Sequence, residues 1–469
     1  MIAFTLENIA TVTGGTLHGD DQLVDGPVVT DSREAAPGSL YVARVGEHAD
    51  GHDFAPSAID NGAVGVLGSR ALPGIPTVVV ADVQQAFADL ARAVVDKAPR
   101  LRIVGITGSS GKTSTKDLLA QVLAPVGETV APVGSYNSEV GVPLTVCRVT
   151  SDTRFLVAEM GATNIGNITY LTRIAPPSIG IVLNVGTAHV GEFGSVEAIA
   201  QTKGELVEAL PTAGLAVLNA DDPRVVAMAG RSVARVVTVG RGDDAQVRAV
   251  DVVLDEQDRP SFVITGLDGV DRLPVHLGLH GEHQIGNALA VAVAARELGI
   301  APEQIAAGLA GARPVSRWRM EVHQLDRGVT LVNDAYNANP DSMRAALAAL
   351  QRMGQGRRTI AVLGEMRELG ELSRQAHHDV GATAAEFDIG VVMAVGAGAE
   401  PIAAAAEAAG VHVERADDVE EAHRMVMQLL APGDVILLKS SRDSGLRYLG
   451  DRITVEQGGF LSEDGSKHA

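Results

Sequence analysis

A single cysteine, Cys147, in 469 residues excludes an intramolecular disulfide and any multi-cysteine metal site. No apolar run is long enough to span a bilayer, although hydrophobic residues make up 46% of the chain, so a soluble protein with ample burial is expected. The N-terminal MIAFTLENIATVTGG lacks a basic start and carries Glu7 early, which argues against a signal peptide and for a cytoplasmic protein. Basic residues are outnumbered, 38 against 58 acidic ones, for a formal net charge of −20. With no local basic patch to offset that charge, neither nucleic acid nor a membrane is an expected partner. At a prior of about 150 residues per domain the length suggests three domains.

What the chain does have is a triphosphate cradle. An apolar, β-branched run (Ile103, Val104, Ile106) ends in Thr107-Gly108-Ser109-Ser110-Gly111-Lys112-Thr113, and helical spacing follows with Leu118 and Leu119 on the apolar side. Strand, glycine-rich turn and helix put backbone N–H groups around phosphate oxygens. Lys112 adds a full positive charge, and the Thr113 hydroxyl can hold a metal. The spacing is not the commonest one, since G-x-x-x-x-G-K-[ST] would need glycine where Ile106 stands. ATP or GTP is the expected ligand.

The alternation of elements predicts an α/β protein of three domains. Residues 1–98 read as a small mixed α/β domain with a charged turn, Asp31-Ser32-Arg33. That turn is explained as well by turn chemistry as by an anionic ligand such as a diphosphate. Residues 99–312 read as a P-loop domain with a doubly wound, mainly parallel sheet. Its strands are expected at 102–107, 129–133, 155–160, 179–185, 215–219 and 236–240. Weaker strands at 246–254, 260–267 and 272–277 read as a small antiparallel addition, and a helix at 283–298 closes the unit. Residues 313–469 read as a second, Rossmann-like α/β domain with strands near 329–332, 358–363, 389–395 and 434–439. The tail 456–469 is polar and expected to be disordered.

Three further sites follow the cradle in the central domain, two of them at strand ends, where α/β sheets put functional side chains. Glu159 ends an apolar strand and could hold Mg²⁺ between phosphates or be a buried structural acid. His189 lies in a glycine-flanked loop and is a metal ligand or a structural histidine. Lys203 lies in Thr202-Lys203-Gly204-Glu205 at the start of a helix. Together they suit phosphoryl transfer, which needs charge neutralisation and positioning.

In combination these motifs resemble the Mur ligases. The cradle, Ala158-Glu159-Met160-Gly161, Asn184-Val185-Gly186-Thr187-Ala188-His189, Thr202-Lys203-Gly204-Glu205, the helix with Asn287-Ala288-Leu289-Ala290 and Asp334-Ala335-Tyr336-Asn337-Ala338-Asn339-Pro340 occur in that family's order over nearly the whole chain. The resemblance implies an ATP-dependent amide-forming ligase of peptidoglycan precursor synthesis. The Tyr336–Pro340 segment looks specifically like the member that joins D-alanyl-D-alanine to UDP-N-acetylmuramoyl-tripeptide through an acyl phosphate, as a monomer.

Carried over by that resemblance, residues 107–113 cradle ATP, and Thr113 and Glu159 hold one Mg²⁺. His189 helps hold a second with Lys203, the latter as a carbamate. Asn287 contacts the adenine. Arg319 and Asp334, with Tyr336 and Asn337, bring the C-terminal domain onto ATP, and that domain also receives the incoming dipeptide. Ser32 and Arg33 belong to a UDP-sugar domain, and Asn137, Ser138 and Glu139 face the muramoyl-peptide. Four places depart from the family's usual pattern: Trp318 for Gly, Gln284 for Asn, Asn333 for Asp and Ser138 for Asn. A preceding ligase of the pathway, which adds a diamino acid, would carry an Asp-Asn-Pro-Arg-like loop that this chain lacks. Folylpolyglutamate synthase would not need the Asp31-Ser32-Arg33 domain, and a purely regulatory nucleotide-binding protein would not need so many cleft groups.

Overall fold

The computed structural model describes residues 1–461 apart from Glu47, Val133, Ala188 and His189. The expectation of disorder at the chain's end therefore falls, for residues 462–469, outside the described residues. Three large sheets follow one another along the chain. No helix among the described residues is long and apolar enough to cross a membrane.

The central sheet has nine strands, and the strand Arg102–Thr107 lies between Phe155–Glu159 and Ile179–Val182, parallel to both. Past the exposed Arg102 these short strands are mainly apolar and buried, as a sheet covered by helices on both faces requires. Thr107 pairs with Val182, and Glu159 with Ile106, so the phosphate loop and Glu159 leave the sheet at the same edge. Chain order reverses on either side of Arg102–Thr107, which is where open α/β sheets bind ligands. The helix Gln284–Glu297 is apolar all round, rich in alanine and valine, and correspondingly buried behind the phosphate-loop helix Lys112–Leu123.

Two differences from the sequence reading matter. The strand expected at 179–185 stops at Val182, because Asn184 turns away to hold the phosphate loop. The expected antiparallel addition is present, Pro260–Thr265 and Arg272–His276 each pairing antiparallel, but its first strand, Val247–Leu254, joins the main sheet in parallel with Arg235–Gly240.

A five-stranded sheet, Thr16–His18, Thr77–Val79, Ala63–Gly68, Ser39–Val42 and Val28–Val29, forms the N-terminal layer. The helix Val83–Asp96, capped by Asp82 on the Gln85 N–H, buries Phe87 and Leu90 in a core shared with Val146 and Leu171 of the central unit. The C-terminal sheet runs Glu321–Gln324, Thr330–Asn333, Val435–Lys439, Thr359–Leu363, Val391–Val395, His412–Ala416, parallel except at its first strand.

One ion pair ties the central sheet's far hairpin to the C-terminal unit. Asp258, fully buried and at φ +61°, accepts from Arg352 of the helix Pro340–Met353, with Nη2 3.0 Å from Oδ2. Removing one partner of such a pair leaves an uncompensated charge and costs about 3 kcal/mol. Arg352→Ala is therefore expected to speed amide exchange at Gly281, whose N–H donates to the Asp258 carbonyl, by about 10²-fold. Unchanged exchange there would mean that Asp258 is resolvated without cost.

Candidate active site

The phosphate loop is held open from below. Ser109 N–H donates to the Asn184 carbonyl (3.1 Å) and Ser110 N–H to its Oδ1 (2.9 Å), while Gly186 N–H donates to Ser109 Oγ (2.9 Å). Gly111 stands at φ +81° as the N-cap of Lys112–Leu123, and an added Cβ there would come within 2.9 Å of Asn287 Oδ1. Only glycine fits both the left-handed turn and the close approach. No side chain caps that helix, which leaves its first N–H groups for an anion. Lys112 Nζ is folded back onto the Gly108 carbonyl at 2.7 Å, and burial holds its amine below the ordinary lysine range against the opposing pull of Glu159.

Next to the loop lies a hydroxyl–carboxylate pair. Thr113 Oγ1 donates to Glu159 Oε2 (2.8 Å) and lies 3.0 Å from Ser135 Oγ, and Asn137 Nδ2 donates to Glu159 Oε1 (2.7 Å). Both Thr113 and Glu159 are buried. A neutral hydroxyl beside a carboxylate at a phosphate-loop helix is a donor set that fits Mg²⁺. Lys203 reaches the same cleft from the helix Val196–Glu208, and burial, then the Lys112 cation, push its amine well below the ordinary lysine range. Glu205, from the same motif, is structural: it accepts the Gly166 and Thr169 N–H groups at the start of the helix Asn167–Ile174. His189 lies outside the described residues.

The opposite wall comes from the C-terminal unit. Arg319 Nη2 donates to Ser135 Oγ across the interface (2.7 Å), and its guanidinium carbon lies 4.4 Å from the Tyr336 ring centroid. Asp334 accepts Met320 N–H (3.0 Å) and Lys439 Nζ (2.6 Å), so its carboxylate first fixes the segment that carries Arg319. The Asn337 carbonyl also accepts from Lys439 (3.2 Å).

These walls enclose a cleft of 690 Å³, within the range of a cofactor-sized site. Ser109, Ser110, Gly111, Lys112, Thr113, Asn137, Ser138, Glu139, Glu159, Lys203, Asn287, Arg319, Asp334, Tyr336 and Asn337 all line it. Thr107 and Gly108 lie behind it, in strand and turn. Ser32 and Arg33 are not among the lining residues; Ser32 is buried, and Arg33 is exposed and bound to Asp31. Ser138 Oγ accepts the Val140 and Gly141 N–H groups at 3.4 Å, a local turn role. Asn287 donates to Gln284 Oε1 (2.8 Å) while packing on the phosphate loop.

Sequence reasoning missed Ser135, His283 and Lys439, which also line the cleft. Lys439 could have been found by the strand-end argument applied to Glu159, since it closes the strand Val435–Lys439. Ser135 and His283 carried no such signal.

Residues 27–104 match the Mur ligase family catalytic domain, 106–295 the Mur ligase middle domain and 318–442 the Mur ligase glutamate ligase domain. A UDP-N-acetylmuramoyl-tripeptide--D-alanyl-D-alanine ligase of Mycobacterium tuberculosis (strain ATCC 25618 / H37Rv) is 45% identical over 505 aligned positions, covering 97% of this chain and 98% of that protein. The chain belongs to the Mur ligase family. Two solved structures agree with this placement. The crystal structure of MurF from Acinetobacter baumannii has a TM-score of 0.87 at 28% identity, covering 96% of this chain and 98% of that one. MurF ligase from Thermotoga maritima, solved in complex with ADP, has a TM-score of 0.79 at 28% identity, covering 92% and 99%. In this Mur ligase the cradle, Glu159 and Lys203 fall in the middle-domain match, and Arg319, Asp334 and Lys439 in the glutamate-ligase match.

Proposed function

We propose that this Mur ligase joins D-alanyl-D-alanine to UDP-N-acetylmuramoyl-tripeptide, converting ATP to ADP and phosphate, and that it does so in the cytoplasm as a monomer. The observation that carries the chemistry is the convergence of Lys112, Thr113, Glu159 and Lys203 with Arg319 in one cleft. The choice of substrates rests on the relatives, which bear that activity in their names and match 97% and 95% of the chain.

The free carboxylate of the tripeptide is a poor acyl donor. One of its oxygens attacks the γ-phosphorus, the bond to the β-phosphate oxygen breaks, and ADP leaves. The amine of D-alanyl-D-alanine then attacks the acyl carbon, loses a proton, and phosphate departs with the carboxylate oxygen.

Lys112, released from the Gly108 carbonyl by the nucleotide, neutralises the β- and γ-oxygens, and the helix N-terminus adds its partial charge. Arg319 meets the transferring phosphoryl group from the other side. Thr113 and Glu159 would hold Mg²⁺, which supplies further charge neutralisation. Lys203, with His189, would hold a second ion once its neutral amine has added to CO₂ and shed a proton, because a carbamate ligates a cation that an ammonium repels.

Residues 1–98 form the UDP-sugar domain, with Ser32 and Arg33 at the diphosphate. Residues 99–312 hold ATP, with Asn287 at the adenine and Asn137, Ser138 and Glu139 towards the muramoyl-peptide. Residues 313–469 close on ATP and receive the dipeptide. Enclosure keeps water from the acyl phosphate.

Mass spectrometry of the uridine-containing product tests the proposal. A gain equal to D-alanyl-D-alanine less one water, only with ATP present, is the expected result. A gain of a single amino acid on a shorter precursor would move the enzyme one step earlier in the pathway.

A further inference from the structure

Arg319 is a cation that the C-terminal unit brings to the cleft beside Ser135 and Thr113, and its backbone is bent in a way that side chains avoid. Trp318 and Met320, on either side, have φ of +60° and +50°. For a bulky residue this left-handed conformation persists only where the surroundings enforce it, and such strain gathers at functional sites.

The enforcement is visible around Trp318. Its N–H donates to Glu321 Oε2 (2.8 Å), and its carbonyl accepts Tyr336 N–H (3.1 Å). Its indole Nε1–H reaches both carboxylate oxygens of Asp451, at 3.1 and 3.0 Å. Arg317 donates to the same carboxylate at 2.6 Å, and its guanidinium carbon lies 5.1 Å from the indole centroid. Asp451 sits on the helix Leu446–Glu456, beyond the 318–442 match, and does not line the cleft. A contact chain therefore runs from Asp451 through Trp318 to Arg319, and on to Ser135 and Thr113.

Glycine would take the same bend without steric cost, but it would also leave the segment free to move. The indole adds a tether. We propose that Asp451 is a positioning residue for Arg319: by gripping the indole of Trp318 it locks the bent segment that aims Arg319 across the cleft. The inference rests on the reaction proposed above. Because Asp451 never meets substrate, its loss should affect the aim of the guanidinium in the transition state more than the binding of ATP.

The test compares the full-length wild type with Asp451→Ala, Trp318→Phe, Arg319→Lys and the double variants, measuring kcat and the KM for ATP. Asp451→Ala is expected to lower kcat by about tenfold or more, since small misplacements carry such penalties. The KM for ATP is expected to change by less than about twofold. In the Arg319→Lys background the same substitution should cost nothing further, because its target has gone. Trp318→Phe keeps a ring and removes the Nε1–H, so it should lower kcat in the same direction and also add nothing to Arg319→Lys.

Trp318 is the sole tryptophan, so its emission reads the tether directly. A non-hydrolysable ATP analogue should change that emission in the wild type and change it less in Asp451→Ala. Unchanged kcat in folded Asp451→Ala or Trp318→Phe would overturn the inference, as would an equal loss with and without Arg319. Should Asp451→Ala fail to fold, the Trp318→Phe and Arg319→Lys cycle decides alone. A wild type that makes no ATP-dependent product would instead strike the proposed reaction, whereas the emission response does not depend on turnover.

Discussion

Lys112→Ala is expected to lower the ATP-dependent rate by on the order of 10²–10³-fold, the loss found when one preorganised charge-stabilising donor is removed from an active site. The structure gives the reason for so large an effect. Lys112 is partly buried beside Glu159, Lys203 and Arg319, in the cleft that the phosphates would enter. Its ammonium already sits on the Gly108 carbonyl, a partner it can exchange for phosphate oxygens with little movement. Steady-state phosphate release checks this, with Lys112→Arg as a companion that keeps the charge but not the shape. Both variants should remain folded, since the Lys112 Nζ hydrogen bond stays within its own turn, on the Gly108 carbonyl. A loss below about tenfold would mean that the helix N-terminus and Arg319 carry the charge without it.

Lys203→Met carries the second large expectation, and it runs in opposite directions for activity and stability. The amine is pushed well below the ordinary lysine range, first by burial and then by Lys112. It is therefore disposed to be neutral and nucleophilic, the form that adds CO₂. Activity should fall in buffer stripped of CO₂ and return with bicarbonate. Lys203→Met should lose at least about 10²-fold and respond to neither.

For stability, the unfolded chain binds the lysine proton more readily than the folded one. The resulting penalty is complete below the folded-state pKa and fades as pH rises towards the ordinary lysine value. Methionine removes it. Without CO₂, the variant should melt at a higher temperature than the wild type, with a larger gain at about pH 6 than at about pH 9. An equal or lower melting temperature at both would show that the ammonium is stabilised in the fold.

The central sheet was legible because its strands are continuous apolar runs and its functional groups sit at their ends. Arg102–Thr107 and Leu215–Asn219 fall where the residue pattern puts them. The edge strands Glu321–Gln324 and His412–Ala416 were not legible, since EVHQ and HVERA mix charged with apolar residues and are half-covered. In the site, the cradle and Glu159 declared themselves through glycine spacing and strand position. Ser135 did not, because its role arises from contact with Arg319, distant in sequence; Lys439 stands at a strand end as Glu159 does, and only its pairing with Asp334 needed the structure. The Trp318 departure was visible in sequence, but its consequence depends on a carboxylate 133 residues away.

The most direct test of carboxylate activation by ATP follows the oxygen. With both oxygens of the tripeptide's terminal carboxylate labelled as ¹⁸O, an acyl phosphate requires one labelled oxygen to leave in inorganic phosphate and the other to remain in the new amide. One labelled oxygen per phosphate released, dependent on D-alanyl-D-alanine, is the predicted result. Unlabelled phosphate formed alongside the amide product would contradict the mechanism, because the carboxylate would then never have bonded to phosphorus.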